Sequence, residues 1–463
     1  MNQTSQKNKF LIIGFMLFAL FFGAGNLIFP AFLGIYSGSN IWPAVIGFLL
    51  TAVTLPLLGV IAISYTGASN PEELARPIAK PYAIFFSVAL YLSIGPFFAI
   101  PRTGATSYSV GIAPIFGDSL LTKALYALVF FGISYWLAIK PNKIAERIGK
   151  YLTPSLLVVI AILVIFSFIK PAGSLGTPID IGSNVNEAFS RLPFVAGIIQ
   201  GYGTMDALAS LAFSILVINA AKSFGDKSNK ELAKTTMSSG VIATVLLALI
   251  YIFITRIGAT SQGLFTFTDG QFMMDNSAID GGHILSQSAN FYLGQIGQII
   301  LSVIIFLACL TTSTGLITSC AEYFNELVPK VSYFIWVTLF TIIATMFYFG
   351  GLAEIINWSV PVLFLLYPLT ITLIFLSLTK GWFKGDRLVY QITTGFTLIP
   401  ALYDAISTLG VMTDFFSVPQ ALTDFFTITI PLGQYSMGWI SFAVVGFVIG
   451  FIISFIKRKA QSL

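Results

Sequence analysis

Charge is what this sequence has least of. Only 9% of its residues are Asp, Glu, Lys or Arg, against about a quarter in ordinary soluble domains. That shortage excludes a fold whose whole surface faces water. Histidine occurs once and cysteine twice, so no His/Cys metal cluster and no disulfide scaffold can be built. Cys309 and Cys320 share one apolar run. At ~1.5 Å per helical residue they stand about 16 Å apart, too far to bridge. The single histidine, His283, falls in a polar segment and reads as a surface residue. No Gly-rich nucleotide loop and no HExxH motif is present. An ATP-driven pump and an integral-membrane enzyme of those types are therefore disfavoured, and no cofactor motif is found.

What is abundant is apolar side chain, at 56% of 463 residues. Stretches long enough to cross ~30 Å of hydrocarbon fall near 10–36, 41–65, 82–112, 119–139, 151–169 and 191–220. Six more lie near 236–257, 288–321, 331–350, 352–379, 388–411 and 434–456. The sequence thus predicts an all-α integral membrane protein of about twelve spans. The opening MNQTSQKNK, an apolar run and GAG also matches a secretory signal. With apolar runs throughout the chain, it is read as a first span.

The net charge of +5 does not point to nucleic acid, because the charges sit between the apolar runs. Alternate segments collect nineteen of the 24 Lys and Arg residues. They are Lys7, Lys9, Arg76, Lys80, Lys140, Lys143, Arg147, Lys150, Lys222, Lys227, Lys230, Lys234, Lys330, Lys380, Lys384, Arg387, Lys457, Arg458 and Lys459. The remaining five, Arg102, Lys123, Lys170, Arg191 and Arg256, fall on or near the other side. That side carries the acidic residues Asp180, Glu187, Asp269, Asp275, Asp280, Asp414 and Asp424. The bias expects a multi-pass cell-membrane protein with both termini cytoplasmic.

Two spans are interrupted. LFALFFGAGNLIFPAFLG (17–34) places Gly23, Ala24, Gly25 and Asn26 mid-span, and GIIQGYGTMDALASLAFSI (197–215) does the same with Gly201, Gly203, Thr204 and Asp206. Unwound backbone in lipid leaves unpaired N–H and C=O groups, each costing several kcal/mol. Such breaks persist only where those groups find a ligand or another part of the protein. Spans one and six are matching members of two five-span halves, 10–169 and 191–379, with 388–456 outside them. One member is odd and the other even, so the halves run in opposite senses. Interrupted spans matched in this way mark a midplane transport site. A half-helix starting near Leu27 presents amides to a carboxylate, and one ending near Phe22 presents carbonyls to an ammonium or hard cation. A zwitterion with a small cation fits both. Gly and Pro also serve close packing in membrane helices.

Span eight holds a run of hydroxyls, Thr311, Thr312, Ser313 and Thr314. Such oxygens suit a monovalent hard cation, or bond back to their own helix. Asp206 and Arg102 are ionisable groups at membrane depth, functional by default. Asp206 is read as a counter-ion for a substrate ammonium, a proton carrier, or a structural partner of Arg102. Tyr108, in the same long span as Arg102, is a candidate pocket residue. Asp404, outside the two halves, reads as structural or interfacial.

GAGNLIFP, GPFFAIPRTGATSYSVG (95–111) and GYGTMDALA (201–209) resemble the branched-chain amino acid carrier family, BrnQ-type cation symporters, across essentially the whole chain. The resemblance implies the leucine-transporter fold, a five-plus-five inverted repeat with two further helices. It also implies leucine, isoleucine and valine uptake driven by Na⁺ or H⁺. Carried over by motif, the substrate carboxylate meets Gly23, Ala24 and Gly25. Phe22, Asn26, Tyr108, Gly201, Tyr202, Gly203, Thr204 and Asp206 complete the substrate site. Sodium would be held by the Thr311 and Thr312 hydroxyls with the Ala19, Phe22 and Ala308 carbonyls. Asp206 has no clear counterpart in the sodium-coupled members, and Asn26 is the one residue that offers a second sodium site. An alternative is a same-fold cation symporter for another small solute, a different amino acid or a nucleobase. An aliphatic side chain needs a dry pocket, which Phe21, Phe22 and the apolar faces of spans three, six and eight can supply. The sequence is silent on oligomeric state.

Overall fold

The computed structural model describes residues 3–140, 145–181, 188–226, 228–274, 277–413 and 415–461. Lys143, Glu187, Lys227, Asp275 and Asp414, used in the charge pattern, lie outside them. The chain begins with α1 (Gln3–Phe21), stops for two residues, and resumes as α2 (Ala24–Ser37). The sequence predicts that interruption. A turn at Gly38–Asn40 leads to α3 (Ile41–Leu49) and, through a wide turn, α4 (Leu55–Thr66). A short α5 (Pro71–Ala75) precedes the third span.

That span is three pieces, α6 (Lys80–Leu92), α7 (Ala99–Thr106) and α8 (Ala113–Phe116). Gly95 leaves helical geometry (φ −89°, ψ −124°) beside Pro96, whose missing N–H and ring break the i→i−4 ladder. The first half closes with α9 (Leu120–Ala138) and α10 (Thr153–Ile169).

The second half opens with another broken span, α11 (Pro193–Tyr202) and α12 (Asp206–Ser223). Next comes α13 (Asn229–Ala259), whose Ser228 and Glu231 form a reciprocal N-terminal cap. Then follow α14 (Gly281–Leu293), α15 (Gln295–Leu327), α16 (Tyr333–Tyr348) and α17 (Leu352–Leu378). The chain ends with α18 (Arg387–Thr413), α19 (Gln420–Asp424) and α20 (Gly438–Gln461). Among the described residues ten helices are long and apolar enough to cross a membrane. Lys9–Phe21 and Tyr333–Tyr348 are apolar but shorter. The mostly helical, multi-pass architecture is the expected one.

One element was not expected. Between α13 and α14 lies a small antiparallel sheet, β1 (Thr266–Thr268), β2 (Gln271–Met274) and β3 (Ser277–Ala278), in the order β1-β2-β3. Asp269 and Gly270 both have positive φ, +52° and +80°, the two-residue turn that Asp-Gly favours.

Each broken span lies along a helix distant from it in sequence. Both α1 and α2 pack on α13, while α11 packs on α3 and α12 on α4. The α2–α13 crossing is close because its facing residues are Gly34 and Gly258. A Cβ at Gly34 would sit 2.0 Å from the Thr255 carbonyl oxygen, and one at Gly258 2.1 Å from that of Ala31. Small residues here let two backbones touch. The result is that both breaks are carried to one place.

Candidate functional site

The first break is short. The Phe22 amide still bonds the Phe18 carbonyl (2.8 Å), and α2 restarts at Ala24 after an extended Gly23 (φ −118°, ψ −155°). Asn26 closes the start of α2, its Oδ1 accepting from the Gly23 amide at 3.1 Å. The second break is a tight turn. Successive amides of Gly203, Thr204 and Met205 bond the carbonyls of Gln200, Gly201 and Tyr202. Met205 takes a left-handed backbone (φ +66°), a conformation uncommon for a non-glycine residue and characteristic of functional sites. α12 then starts at Asp206, so a carboxylate occupies the positive end of a helix.

The two starts, of α2 and α12, flank a cavity of about 20 Å³. Its lining includes Gly23, Ala24, Gly25, Asn26, Thr204 and Asp206. Phe21, Phe213, Ile94, Ala99 and Leu316 add apolar wall from spans one, six, three and eight. The space admits about one water, so an amino acid enters only when the surrounding helices part.

Asp206 is 3% exposed and held by Asn26 Nδ2, whose amide also meets the Tyr251 hydroxyl. Tyr251 Oη donates to the Asp206 carboxylate at 3.2 Å. The carboxylate therefore ties the two breaks and α13 together, as a buried carboxylate with dipolar partners. It does not pair with Arg102, one of its expected options. Arg102 instead donates to the carbonyls that the second break frees, Gly203 at 2.7 Å and Thr204 at 3.1 Å.

On the other side of the first break, α15 brings its hydroxyls to the end of α1. Thr311 Oγ1 donates to the carbonyls of Ala19 and Ala308, both at 2.9 Å. Thr312 Oγ1 reaches those of Ala19 (3.3 Å) and Leu20 (3.0 Å). Two hydroxyls and three carbonyls thus converge with no carboxylate, a donor set suited to a monovalent hard cation. Thr312 also borders the cavity. A Cβ at Gly23 would stand 2.7 Å from its Oγ1.

Several expected residues land elsewhere. α1 stays helical through Phe21, and the carbonyls met by the α15 hydroxyls on this helix are those of Ala19 and Leu20. Leu20 joins Ala19 opposite the hydroxyls, and the Phe22 ring stacks on Phe18 at 5.3 Å. Tyr108 is not at the cavity. The kink at Gly95–Pro96 and a wide turn at Ser107–Ile112 reset the helix phase. Its hydroxyl bonds Asp118 Oδ1 at 2.8 Å. Gly201 is a packing glycine against Thr51 (a Cβ would lie 1.9 Å from Oγ1). Tyr202 and Gly203 line a second cavity with Arg102. Tyr251 was missed, although a tyrosine inside the apolar run LLALIYIFI signals a buried hydroxyl in need of a partner.

Residues 6–457 match a family described as branched-chain amino acid transport protein. The branched-chain amino acid permease BraB of Bacillus subtilis is 42% identical over 461 residues, 98% of this chain and 97% of that protein. The permease BrnQ of the same organism is 36% identical over the whole of both chains. BrnQ of Corynebacterium glutamicum is 39% identical, covering 99% and 98%. The fold is similar to that of Mhp1, a nucleobase-cation-symport-1 family transporter in a closed conformation (TM-score 0.57, 15% identity, 95% of this chain and 92% of that one). These findings make the chain a multi-pass transporter and not an enzyme. It belongs to the family of branched-chain amino acid transport proteins.

Proposed function

We propose that this chain is a secondary symporter that imports leucine, isoleucine and valine by alternating access. The observation that carries this is the meeting of two helix breaks at one buried cavity, with the Thr311–Thr312 oxygens against the end of α1. The amides at the start of α2, from Gly23 to Gly25, take the substrate carboxylate. Asp206 takes the ammonium, and Phe21, Phe213 and Leu316 surround the aliphatic chain.

The coupling ion is Na⁺, bound by the Thr311 and Thr312 hydroxyls and the Ala19, Leu20 and Ala308 carbonyls. Binding there fixes α1 against α15 and so favours the arrangement in which substrate is held. Asp206 favours a second reading, H⁺ coupling, because a buried carboxylate at the substrate site has no cationic partner within ion-pair distance among the described residues. The reciprocal packing of α1 and α2 on α13 and of α11 and α12 on α3 and α4 supports the inverted halves 10–169 and 191–379. Residues 388–456 then form an appended pair. The Lys/Arg bias supports cytoplasmic termini. Labelled leucine uptake into proteoliposomes, under a sodium gradient and separately under a pH gradient, tests this function. Accumulation under sodium alone supports the hydroxyl site, and accumulation under pH alone moves coupling to Asp206.

A further inference from the structure

Arg102 is 4% exposed and lines both the inner cavity and a second one of about 120 Å³. Its partners are neutral: the Gly203 and Thr204 carbonyls, and the Phe29 ring 5.8 Å away. No carboxylate lies within 4.0 Å of its guanidinium among the described residues. Asp206 lines the inner cavity with it and acts on it through space without a direct pair, and of five N–H groups two are committed. The rest of the second cavity is largely apolar, with walls from Phe29, Ile199, Ile356, Val360, Leu363 and Phe364. Gln200 and Ser359 are its remaining polar side chains apart from the Tyr202 hydroxyl.

We propose that this second cavity is a substrate subsite in which Arg102 receives the carboxylate of an aliphatic α-amino acid. The inference rests on the amino acid transport proposed above and adds a binding position that the helix breaks do not provide. Guanidinium and carboxylate match as a two-pronged pair, and the branched side chain has the apolar walls. The larger cavity has room for the solute, whereas the inner one admits about one water. Arg102 also stands next to the inner site. A Cβ at Gly25 would lie 3.0 Å from its Nη2, so the bound carboxylate is delivered beside the start of α2.

The test compares leucine with leucinamide and isoamylamine, which lack the carboxylate, as competitors of labelled leucine binding to the full-length protein. For the unmodified protein, leucine should compete at least about 100-fold better than either analogue. Arg102→Gln should shrink that ratio by about 10-fold or more, and Arg102→Lys should restore part of it. A role confined to tethering the second break would lower all binding together and leave the ratio unchanged, which overturns the proposal. Val360→Phe covers the case in which the arginine variants do not fold. It fills the second cavity without touching Arg102's carbonyl bonds, and should weaken leucine about 10-fold. Unaltered leucine binding by Val360→Phe also overturns the subsite. Failure of the unmodified protein to bind or transport any branched-chain amino acid removes the transport proposal itself. Normal transport with an unaffected Val360→Phe removes only this one.

Discussion

Thr312 touches three parts of the mechanism at once: the Ala19 and Leu20 carbonyls, the Gly23 backbone and the substrate cavity. On the proposed sodium site Thr312→Ala removes one of five oxygens, so the sodium concentration for half-maximal leucine uptake should rise by about 10-fold, in line with loss of a bond to a charged group. Unchanged sodium dependence would sink that site. Gly23→Ala is expected to be as damaging without removing any polar group, because its Cβ would have to displace the Thr312 hydroxyl. Leucine uptake should fall to background in a protein that still purifies as a folded species. Asp180, outside the spans, shows a simpler acid response. Partial burial pushes its carboxyl up, but the Ser190 and Arg191 amides and the Arg191 guanidinium outweigh that and hold it below the usual range. Its anchoring of the segment before α11 is therefore present above about pH 4 and lost as acid protonates it. Asp180→Asn should speed Ser190 amide exchange at neutral pH, where the unmodified segment stays protected.

At the scale of elements, α1 is the separable one. It is joined to α2 through two non-helical residues and is pinned at the head of its apolar stretch by Lys9, whose Nζ meets Asp226 Oδ1 at 2.6 Å. Thr235 donates to the other Asp226 oxygen, also at 2.6 Å. Both charges are nearly buried, and removing one partner of such a pair is strongly destabilising. Lys9→Ala should loosen this end of α1, so that a cysteine placed at Ala24 reacts faster with a thiol reagent added from the terminal side. Combining Lys9→Asp with Asp226→Lys should restore the slow rate; no rescue would mean the tie is incidental. The sequence made the breaks themselves legible, because glycine pairs and an Asn or Asp at mid-span have few other uses in lipid. It did not show which carbonyls face the hydroxyls, since that depends on whether α1 stops at Phe21 or a turn sooner. Tyr108 was misplaced for a related reason: a helix interrupted at Gly95 and again at Ser107 loses the phase on which counting relies. The Asp269–Gly270 hairpin was readable from its turn residues and was overlooked among longer apolar runs.

For the whole molecule, the packing of α1 and α2 on α13, of α11 on α3 and of α12 on α4 carries both breaks to one cavity, which collects residues from spans one, three, six and eight. Family and fold were legible early because GAGNLIFP and GYGTMDALA carry the backbone features that the site is built from. The second cavity was not, since its walls come from α2, α7, α11 and α17, elements brought together only by folding. A cavity of about 20 Å³ between the breaks requires rearrangement for each transport cycle, and in the proposed mechanism the coupling ion favours one arrangement. The decisive measurement is therefore leucine accumulation in proteoliposomes carrying the unmodified protein, with a sodium gradient and a pH gradient imposed in separate experiments. Sodium-driven accumulation, abolished when the gradient is collapsed and shifted to higher sodium in Thr312→Ala, is the expected result. Accumulation that ignores sodium and follows protons would contradict the Thr311–Thr312 site and leave Asp206 as the coupling group.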